Sequence, residues 1–286
     1  MSEKQKIGLV LEGGGMRGMY TTAVLDNFLE FGIRADGVIG VSAGAIHGAS
    51  YLSNQIGRNV RYNLKYIGDK RYMSIRSLIR TGDLFNKEFC YETIPNKLNK
   101  FDYETFRKNA EEVPFYVVCT NLESGEAEYI RITDLEQDMD FLRASASLPL
   151  VSNTIEKDGM KLLDGGTADS IPVDFMRSIG YEKNIVVLTR PEGYTKKPDK
   201  TIKLMEHKYK EYPLYLETSR KRYEMYNETL RKLEAYEKDG SVLVIRPSRE
   251  FKISRTEKNV DKLKYLYKMG RYDTRRKIQE IIEYIG

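Results

Sequence analysis

Short apolar segments alternate with longer amphipathic ones along most of this 286-residue chain. Five of the apolar runs have the length of buried strands, and helical periodicity or glycine-rich turns separate them. These predicted strands are residues 6–11, 38–39, 113–120, 161–163 and 184–189. The alternation predicts an α/β protein in which a mostly parallel central sheet lies between helical layers.

A hairpin interrupts this alternation. Residues 127–132 alternate polar and apolar side chains after a Ser-Gly turn at 124–125, so we expect an antiparallel hairpin with the preceding strand. A helix is predicted at 139–146. The segment 58–112 has weak periodicity, which indicates a cap or a connecting region.

The C-terminal third has a different pattern. Residues 191–200 are rich in Pro, Lys and Gly and predict a linker. Long charged helical patterns follow at 201–238 and 256–285, with a predicted strand at 241–245 between them. We therefore predict two domains, a catalytic domain at residues 1–195 and a basic, mainly helical C-terminal extension at residues 196–286.

Composition narrows the class of protein. Hydrophobic residues make up 41% of the chain, enough for a sizeable core, and no run approaches the ~20 apolar residues that cross a bilayer. The N-terminus lacks a signal-peptide pattern, so we expect a cytoplasmic protein. Peripheral contact with the inner face of the membrane is compatible with this location. Two cysteines and two histidines without ligand spacing predict reduced thiols and no metal site.

Positive charge is concentrated in the predicted extension. Residues 1–195 hold 23 Lys and Arg against 27 Asp and Glu, a net charge of −4, whereas residues 196–286 hold 24 against 15, a net charge of +9. Tyrosines lie among these basic residues. Two interpretations stay open: a helical subdomain packed on the core, which we favour, or a basic aromatic surface that contacts anionic lipid. No nucleic-acid-binding motif accompanies the charge, so no nucleic acid partner is expected.

The segment Gly40-Val41-Ser42-Ala43-Gly44 is typical of a nucleophile elbow. In such an elbow a strand turns sharply into a helix, and small residues two positions before and after the serine relieve crowding around its strained backbone. A short apolar strand precedes this segment, and a helical pattern of small residues follows it. Ser42 is therefore the candidate nucleophile, with Gly40 and Gly44 as steric requirements.

A second glycine-rich turn, Gly13-Gly14-Gly15-Met16-Arg17-Gly18, follows the first predicted strand. Its peptide N–H groups are suited to an oxyanion hole, because they can face the oxygen that becomes negative in acyl transfer. The same letters satisfy a dinucleotide-binding pattern, but the second strand ends at Ser42 without the carboxylate that would hold a ribose. We favour the oxyanion hole. Arg17 either binds an anion or braces the loop.

Few residues could activate Ser42 as a base. His207 lies in a charged helical pattern, and His47 lies on the same predicted helix as the serine and points away from it. Asp164 ends a short apolar strand directly before two glycines, at the sheet edge predicted for Ser42. A carboxylate can accept the proton if partial burial raises its basicity. We favour Asp164, although Asp-Gly is also a common turn signal.

Four motifs occur in order: the glycine loop at 13–18, the serine elbow at 40–44, Ala144-Ser145 with Pro149, and Asp164-Gly165-Gly166. In this order and spacing, over about residues 6–190, the chain resembles the patatin-like phospholipase family. The resemblance implies a three-layer α/β/α sandwich and a Ser–Asp dyad. Ser42 would be the nucleophile, Asp164 the base, and the loop at 13–18 the oxyanion hole.

The same resemblance implies a lipid acyl hydrolase. Such an enzyme cleaves acyl esters of phospholipids, lysophospholipids or related lipids through an acyl-serine intermediate, and it requires no metal or organic cofactor. Two other classes stay open. One is a catalytically inactive membrane or protein adaptor on the same fold, and the other is a dinucleotide-binding protein that uses the loop at 13–18.

Overall fold

Eight strands form one mixed sheet within residues 5–286, the part of the chain that the computed structural model describes. They are β1 (Ile7–Leu11), β2 (Gly37–Val41), β3 (Phe115–Asn121), β4 (Ala127–Ile132), β5 (Ile155–Lys157), β6 (Met160–Asp164), β7 (Lys183–Val187) and β8 (Val242–Ile245). Hydrogen-bonded neighbours follow the path β5-β6-β3-β2-β1-β7-β8, and β4 also pairs with β3.

Helices cover both faces of this sheet. They are α1 (Met19–Glu30), α2 (Ala43–Leu52), α3 (Arg58–Tyr66), α4 (Ile75–Thr81), α5 (Tyr103–Glu112), α6 (Leu135–Ser145), α7 (Val173–Ser178), α8 (Ile202–Lys208), α9 (Pro213–Lys238), α10 (Val260–Arg276) and α11 (Ile278–Ile285). A π-helix spans Glu88–Leu98, and short 3₁₀ helices at Gly15–Gly18 and Gly165–Thr167 follow β1 and β6. None of the helices in this described part has both the length and the hydropathy that crossing a membrane requires.

The three-layer α/β/α architecture predicted from the sequence is confirmed. Successive side chains of a strand point to opposite faces, so the two faces bury different residues. Leu9 and Leu11 pack in a core with α1, α2 and α10, whereas Val10 packs in a second core with α7 and α9. Strands β3-β2-β1-β7-β8 pair in parallel, while β4, β5 and β6 pair antiparallel.

One edge of β3 is shared by two strands. Strand β2 pairs in parallel with β3 as far as the pair Val41 and Val118. One residue further along β3, Cys119 lies opposite Asp164, the last residue of the antiparallel strand β6. The other edge of β3 is occupied by β4 along nearly its whole length. Strand β6 therefore continues along the edge that β2 leaves, and the carboxyl ends of β2 and β6 meet.

The long helical patterns of the C-terminal third are each divided in the structure. The pattern at 201–238 forms α8 and α9, because Pro213 has no N–H with which to continue a helix and instead occupies the first turn of α9. The pattern at 256–285 forms α10 and α11, which separate at Lys277. The weakly periodic segment 58–112 forms α3, α4, the π-helix and α5.

The C-terminal third is joined to the rest of the fold through the sheet and through one helix pair. Strand β8 extends the sheet by pairing in parallel with β7. Helix α10 lies against α1 so closely that a Cβ on Gly270 would lie 2.8 Å from the carbonyl oxygen of Tyr20. The domain boundary near residue 196 stays a prediction, and any such boundary crosses a continuous sheet.

This packing predicts that α10 contributes to the stability of the whole fold. Leu263 on α10 is fully buried in the core that contains α1, so Leu263→Ala should lower the free energy of unfolding by about 2–5 kcal/mol. Leu204→Ala on α8 is the matched control, because that side chain is 62% exposed and its loss should cost less than about 0.5 kcal/mol. Urea unfolding measures both, and equal losses for the two variants would contradict the role of α10.

Candidate active site

Ser42 lies at a strained turn between β2 and α2. Its backbone angles are φ 55° and ψ −121°, a conformation that costs a non-glycine residue about 1–3 kcal/mol. The turn leaves no room for neighbouring side chains. A Cβ on Gly40 would lie 2.5 Å from the backbone of Ala45, and a Cβ on Gly44 would lie 2.4 Å from the carbonyl oxygen of Leu11. Both glycines are therefore required by close backbone approach.

The glycine loop after β1 packs directly against this turn. A Cβ on Gly13 would lie 3.0 Å from the carbonyl oxygen of Val41. Gly15 has φ +55°, and a Cβ there would lie 2.5 Å from the carbonyl oxygen of Arg255. That same carbonyl accepts a hydrogen bond of 3.0 Å from the N–H of Met16. The loop is thus held between the serine turn and a segment more than 200 residues away in sequence.

The remaining residues of the loop are fixed by close contacts. A Cβ on Gly14 would lie 2.9 Å from the hydroxyl of Thr189, and the carbonyl of Gly14 accepts the N–H of Arg17 at 3.2 Å. A Cβ on Gly18 would lie 2.7 Å from Nε2 of His47. The peptide N–H groups of Met16 and Arg17 are therefore already engaged within the protein.

Asp164 ends β6 and is almost fully buried. Its Oδ1 accepts the N–H of Gly166 at 2.8 Å, and its carbonyl oxygen accepts the hydroxyl of Thr120 at 2.9 Å. Among residues 5–286, Oδ2 has no hydrogen-bond partner. A buried carboxylate oxygen without a partner is costly unless it has another use, so Oδ2 is the acceptor that this site leaves open.

The turn that ends α6 connects the two candidate residues. The N–H of Ser42 donates to Oγ of Ser145 at 2.9 Å, and the N–H of Asp164 donates to the carbonyl of Ser147 at 2.9 Å. Both serines are buried. The Ala144-Ser145 motif noted in the sequence therefore lies beside the elbow and fixes the backbone of Ser42, and Ser147, two residues further on, fixes the backbone of Asp164.

Glu12 is a buried residue of the site that the sequence interpretation did not single out. Its carboxylate accepts the N–H and the hydroxyl of Thr189 at 2.5 and 3.0 Å, and the hydroxyl of Tyr226 at 2.7 Å. A charged residue directly after a buried strand was the available signal. Glu12 ties the start of the glycine loop to the end of β7 and to α9.

Neither histidine is placed as a base for Ser42. His207 is exposed on α8, in agreement with the charged pattern around it. His47 is buried on α2, and burial lowers the pKa of its imidazole to about 4. His47 is therefore neutral at pH 7, packed against Gly18.

Two cavities meet at Ser42. The first is apolar and has an empty volume of about 990 Å³ with its open mouth included. Its walls include Met16, Met19, Ile46, Tyr62, Phe85 and Leu142. The second cavity is smaller, about 340 Å³ by the same measure, and is lined by charged residues and by the glycine loop. Ser42 and Gly15 line both cavities, and Asp164 lines the second.

The fold and the site together define an α/β/α protein with a buried serine at a strand-to-helix elbow. A buried aspartate lies beside that serine, at the end of a strand of the sheet. The chain belongs to the patatin-like phospholipase family, whose model matches residues 9–177, more than half of the chain. A second model, a domain of unknown function designated DUF6363, matches residues 212–286.

Relatives in bacteria and fungi share this region. The chain is 26% identical over 188 residues to the uncharacterized protein YjjU of Escherichia coli. The aligned region covers 65% of this chain and 52% of that protein. The chain is 30% identical over 185 residues to the lysophospholipase nte1 of Aspergillus niger, covering 62% of this chain and 11% of the enzyme. The chain thus spans about half of the first protein and about a tenth of the second. The crystal structure of VipD from Legionella pneumophila aligns with 97% of this chain and 67% of its own, at 11% identity and a TM-score of 0.46.

The elbow geometry predicts a strong penalty for enlarging Gly44. Gly44→Ala would place a methyl group against the backbone of β1, so we expect the free energy of unfolding to fall by more than about 3 kcal/mol. The control is Gly68→Ala, since a Cβ at Gly68 meets no atom within 4 Å and should change stability by less than about 0.5 kcal/mol. Chemical denaturation compares the two, and a tolerated Gly44→Ala would mean that the elbow has a different backbone.

The buried imidazole of His47 predicts a pH-dependent stability. Its folded pKa of about 4 lies below the ordinary 6.5, so its contribution is fully present above pH 6.5 and is lost as the pH falls toward 4. Relative to His47→Gln, which cannot be protonated, wild type should lose about 3 kcal/mol of stability between pH 7 and pH 4. His207→Gln controls for removal of an exposed histidine. Parallel pH profiles for wild type and His47→Gln would contradict the burial of this imidazole.

Proposed function

We propose that the chain is a lipid acyl hydrolase in which Ser42 is the nucleophile and Asp164 the general base. The observation that carries this proposal is the meeting of β2 and β6 on one edge of β3, because it brings the serine elbow beside a carboxylate whose Oδ2 has no partner within residues 5–286. Both residues line the smaller cavity. Family membership supports the same class of reaction.

In the proposed reaction, Oγ of Ser42 attacks the ester carbonyl carbon while its proton passes to Oδ2 of Asp164. The carbonyl oxygen becomes negative in the tetrahedral intermediate. Collapse of the intermediate breaks the ester C–O bond, and the leaving alcohol takes the proton from Asp164. Water then attacks the acyl-serine with Asp164 as base, which releases the fatty acid and restores Ser42.

The oxyanion would be stabilised by peptide N–H groups of the glycine loop. Those of Met16 and Arg17 already donate to carbonyl groups of the protein. We therefore assign the oxyanion hole predicted at residues 13–18 to the N–H groups of Gly13, Gly14 and Gly15. Close packing of this loop against the serine elbow supports the assignment, since these donors need to lie near Ser42.

The two cavities suit a substrate that has an apolar acyl chain on one side of the ester bond and a polar alcohol part on the other. The apolar cavity offers a surface for the acyl chain, which gains free energy by leaving water. The charged cavity is left for the alcohol part of the ester. Phospholipids and lysophospholipids have this division, and the A. niger relative is a lysophospholipase by name. We propose this substrate class for the chain.

Contact of the C-terminal region with a membrane stays a prediction, and the packing interpretation has the better support. Three of the tyrosines that lie among its basic residues, Tyr209, Tyr215 and Tyr226, are buried and cannot contact lipid. Several exposed basic residues of α9 pair with carboxylates. These pairs are Arg220 with Glu206, Lys221 with Glu217, Arg231 with Glu228, and Lys232 with Asp174. Such pairing weakens attraction to an anionic surface.

Labelling with a fluorophosphonate probe tests the proposed dyad. Wild type should form a covalent adduct and hydrolyse a short-chain acyl ester, whereas Ser42→Ala should do neither and Asp164→Asn should lose at least about 100-fold in rate. The matched control for the second variant is Asp169→Asn, because Asp169 lies in the same turn but bonds to Tyr129 and does not line the cavity of Ser42.

Two results would contradict this proposal. One is equal labelling of wild type and Ser42→Ala, which would mean that another residue is the nucleophile. The other is an unlabelled wild type that binds lipid vesicles and hydrolyses no ester, which would favour the adaptor. Retention on immobilised nucleotide would instead favour the dinucleotide-binding class.

A further inference from the structure

The smaller cavity at Ser42 is lined by more positive than negative side chains. Its walls hold four cationic groups, Arg17, Lys196, Arg222 and Arg255, against two carboxylates, Glu12 and Asp164. Three of the four cations belong to the C-terminal segment, residues 196–286. This segment therefore reaches the site that the elbow and the glycine loop form.

The two carboxylates offset only part of this positive charge. Glu12 is engaged by Thr189 and Tyr226, and Oδ1 of Asp164 by Gly166. Within residues 5–286, none of the four cations forms a salt bridge of 4.0 Å or less with any carboxylate. Buried or partly buried cations are normally paired, so this cavity has an unbalanced positive charge.

Each cation of the C-terminal segment is held in place by other contacts. Nε of Arg222 donates to the carbonyl of Gly166, in the turn after Asp164. Lys196 is held by backbone hydrogen bonds of 2.8 and 2.9 Å with the side chain of Asn227, and its Nζ lies 4.1 Å from the ring centre of Tyr226. The carbonyl of Arg255 accepts the N–H of Met16. The side chain of Arg222 and the backbones of Lys196 and Arg255 are thus fixed beside the cavity.

Arg17 completes the wall from the other side. It is 8% exposed, and its Nε has no hydrogen-bond partner within the described residues. Burial lowers the pKa of Arg17 to about 10, and burial together with Arg222 lowers the pKa of Lys196 to about 7. Both pKa values are lowered because burial and neighbouring positive charges outweigh the attraction of Glu12.

We propose that Lys196, Arg222 and Arg255 form an anion subsite that binds a phosphate or carboxylate group on the alcohol part of the substrate. The C-terminal segment would then select acyl esters with an anionic headgroup over neutral esters of the same acyl chain. This inference rests on the proposed function of Ser42, because it takes the scissile ester to lie at that residue.

The arrangement of the cavities favours an anion that is linked to the ester. Ser42 lies where the apolar and the charged cavity meet, so an acyl chain in the first directs the alcohol part into the second. The charged cavity, about 340 Å³ with its mouth included, is smaller than the apolar one. The anionic group of the substrate would therefore have to lie close to the ester.

The kinetic test compares two substrates that differ only in the phosphate: a monoacylglycerol phosphate and the monoacylglycerol with the same chain. The measured quantity is the ratio of their kcat/KM values at fixed pH and ionic strength. Wild type should prefer the phosphate ester, and Arg255→Gln and Lys196→Gln should each lower the ratio about ten-fold or more. Both variants keep the backbone contacts described above. Arg255→Lys should restore part of the preference.

The charge-matched control is Arg220→Gln, which removes one positive charge from the surface of α9, where Arg220 pairs with Glu206. It should leave activity and the ratio unchanged. The proposal is overturned if wild type has no preference, if the cavity variants keep the wild-type ratio, or if they lower both rates equally, since that last result indicates a structural effect on the Ser42 site.

A binding test separates this proposal from the proposed reaction. In Ser42→Ala, glycerol 3-phosphate should raise the melting temperature and glycerol should not, and Arg255→Gln should remove the effect. This test keeps its meaning if wild type hydrolyses no ester, because that failure concerns the reaction alone. If inorganic phosphate protects as well as glycerol 3-phosphate and the kinetic ratio is one, the site binds free anions and the proposal is wrong.

Discussion

The two edges of β3 are the constraint on which the candidate site depends. A strand can pair along only two edges, and β4 occupies one of them. On the other edge, β2 ends opposite Val118 and β6 ends opposite Cys119, so a parallel and an antiparallel strand meet end to end. Ser42 directly follows the last residue of β2, and Asp164 is the last residue of β6. Their proximity is therefore a property of hydrogen-bond register, and side-chain conformation only adjusts it.

The serine turn also separates two environments. The elbow holds a non-glycine residue in an unfavourable conformation, and close packing of glycines around it offsets the cost. On one side lies an apolar cavity, and on the other a group of cations. An ester that reacts at Ser42 would have its acyl chain in the apolar cavity and its alcohol part in the charged cavity. The two cavities would thus fix the orientation of the bound substrate.

Much of this arrangement could be predicted from the sequence, and the rest could not, for physical reasons. Gly40 and Gly44 are required by atoms a few residues away or in a neighbouring strand, so the local motif carries the information. Pro213, likewise, divides a helical pattern locally. Lys196 and Arg255 reach the site through tertiary packing across more than 150 residues of sequence. Neither lies in a motif, and in the sequence they cannot be distinguished from the many exposed basic residues around them.

The pairing of β7 with β8 has a consequence for biosynthesis. Chains fold from the N-terminus as they leave the ribosome, yet β8 ends at Ile245, and the carbonyl that holds the glycine loop belongs to Arg255. Until β8 has been made, β7 is an open sheet edge, and until Arg255 has been made, the loop beside Ser42 lacks one of its supports. A nascent chain therefore contains the serine, the aspartate and the glycine loop long before it contains the finished site.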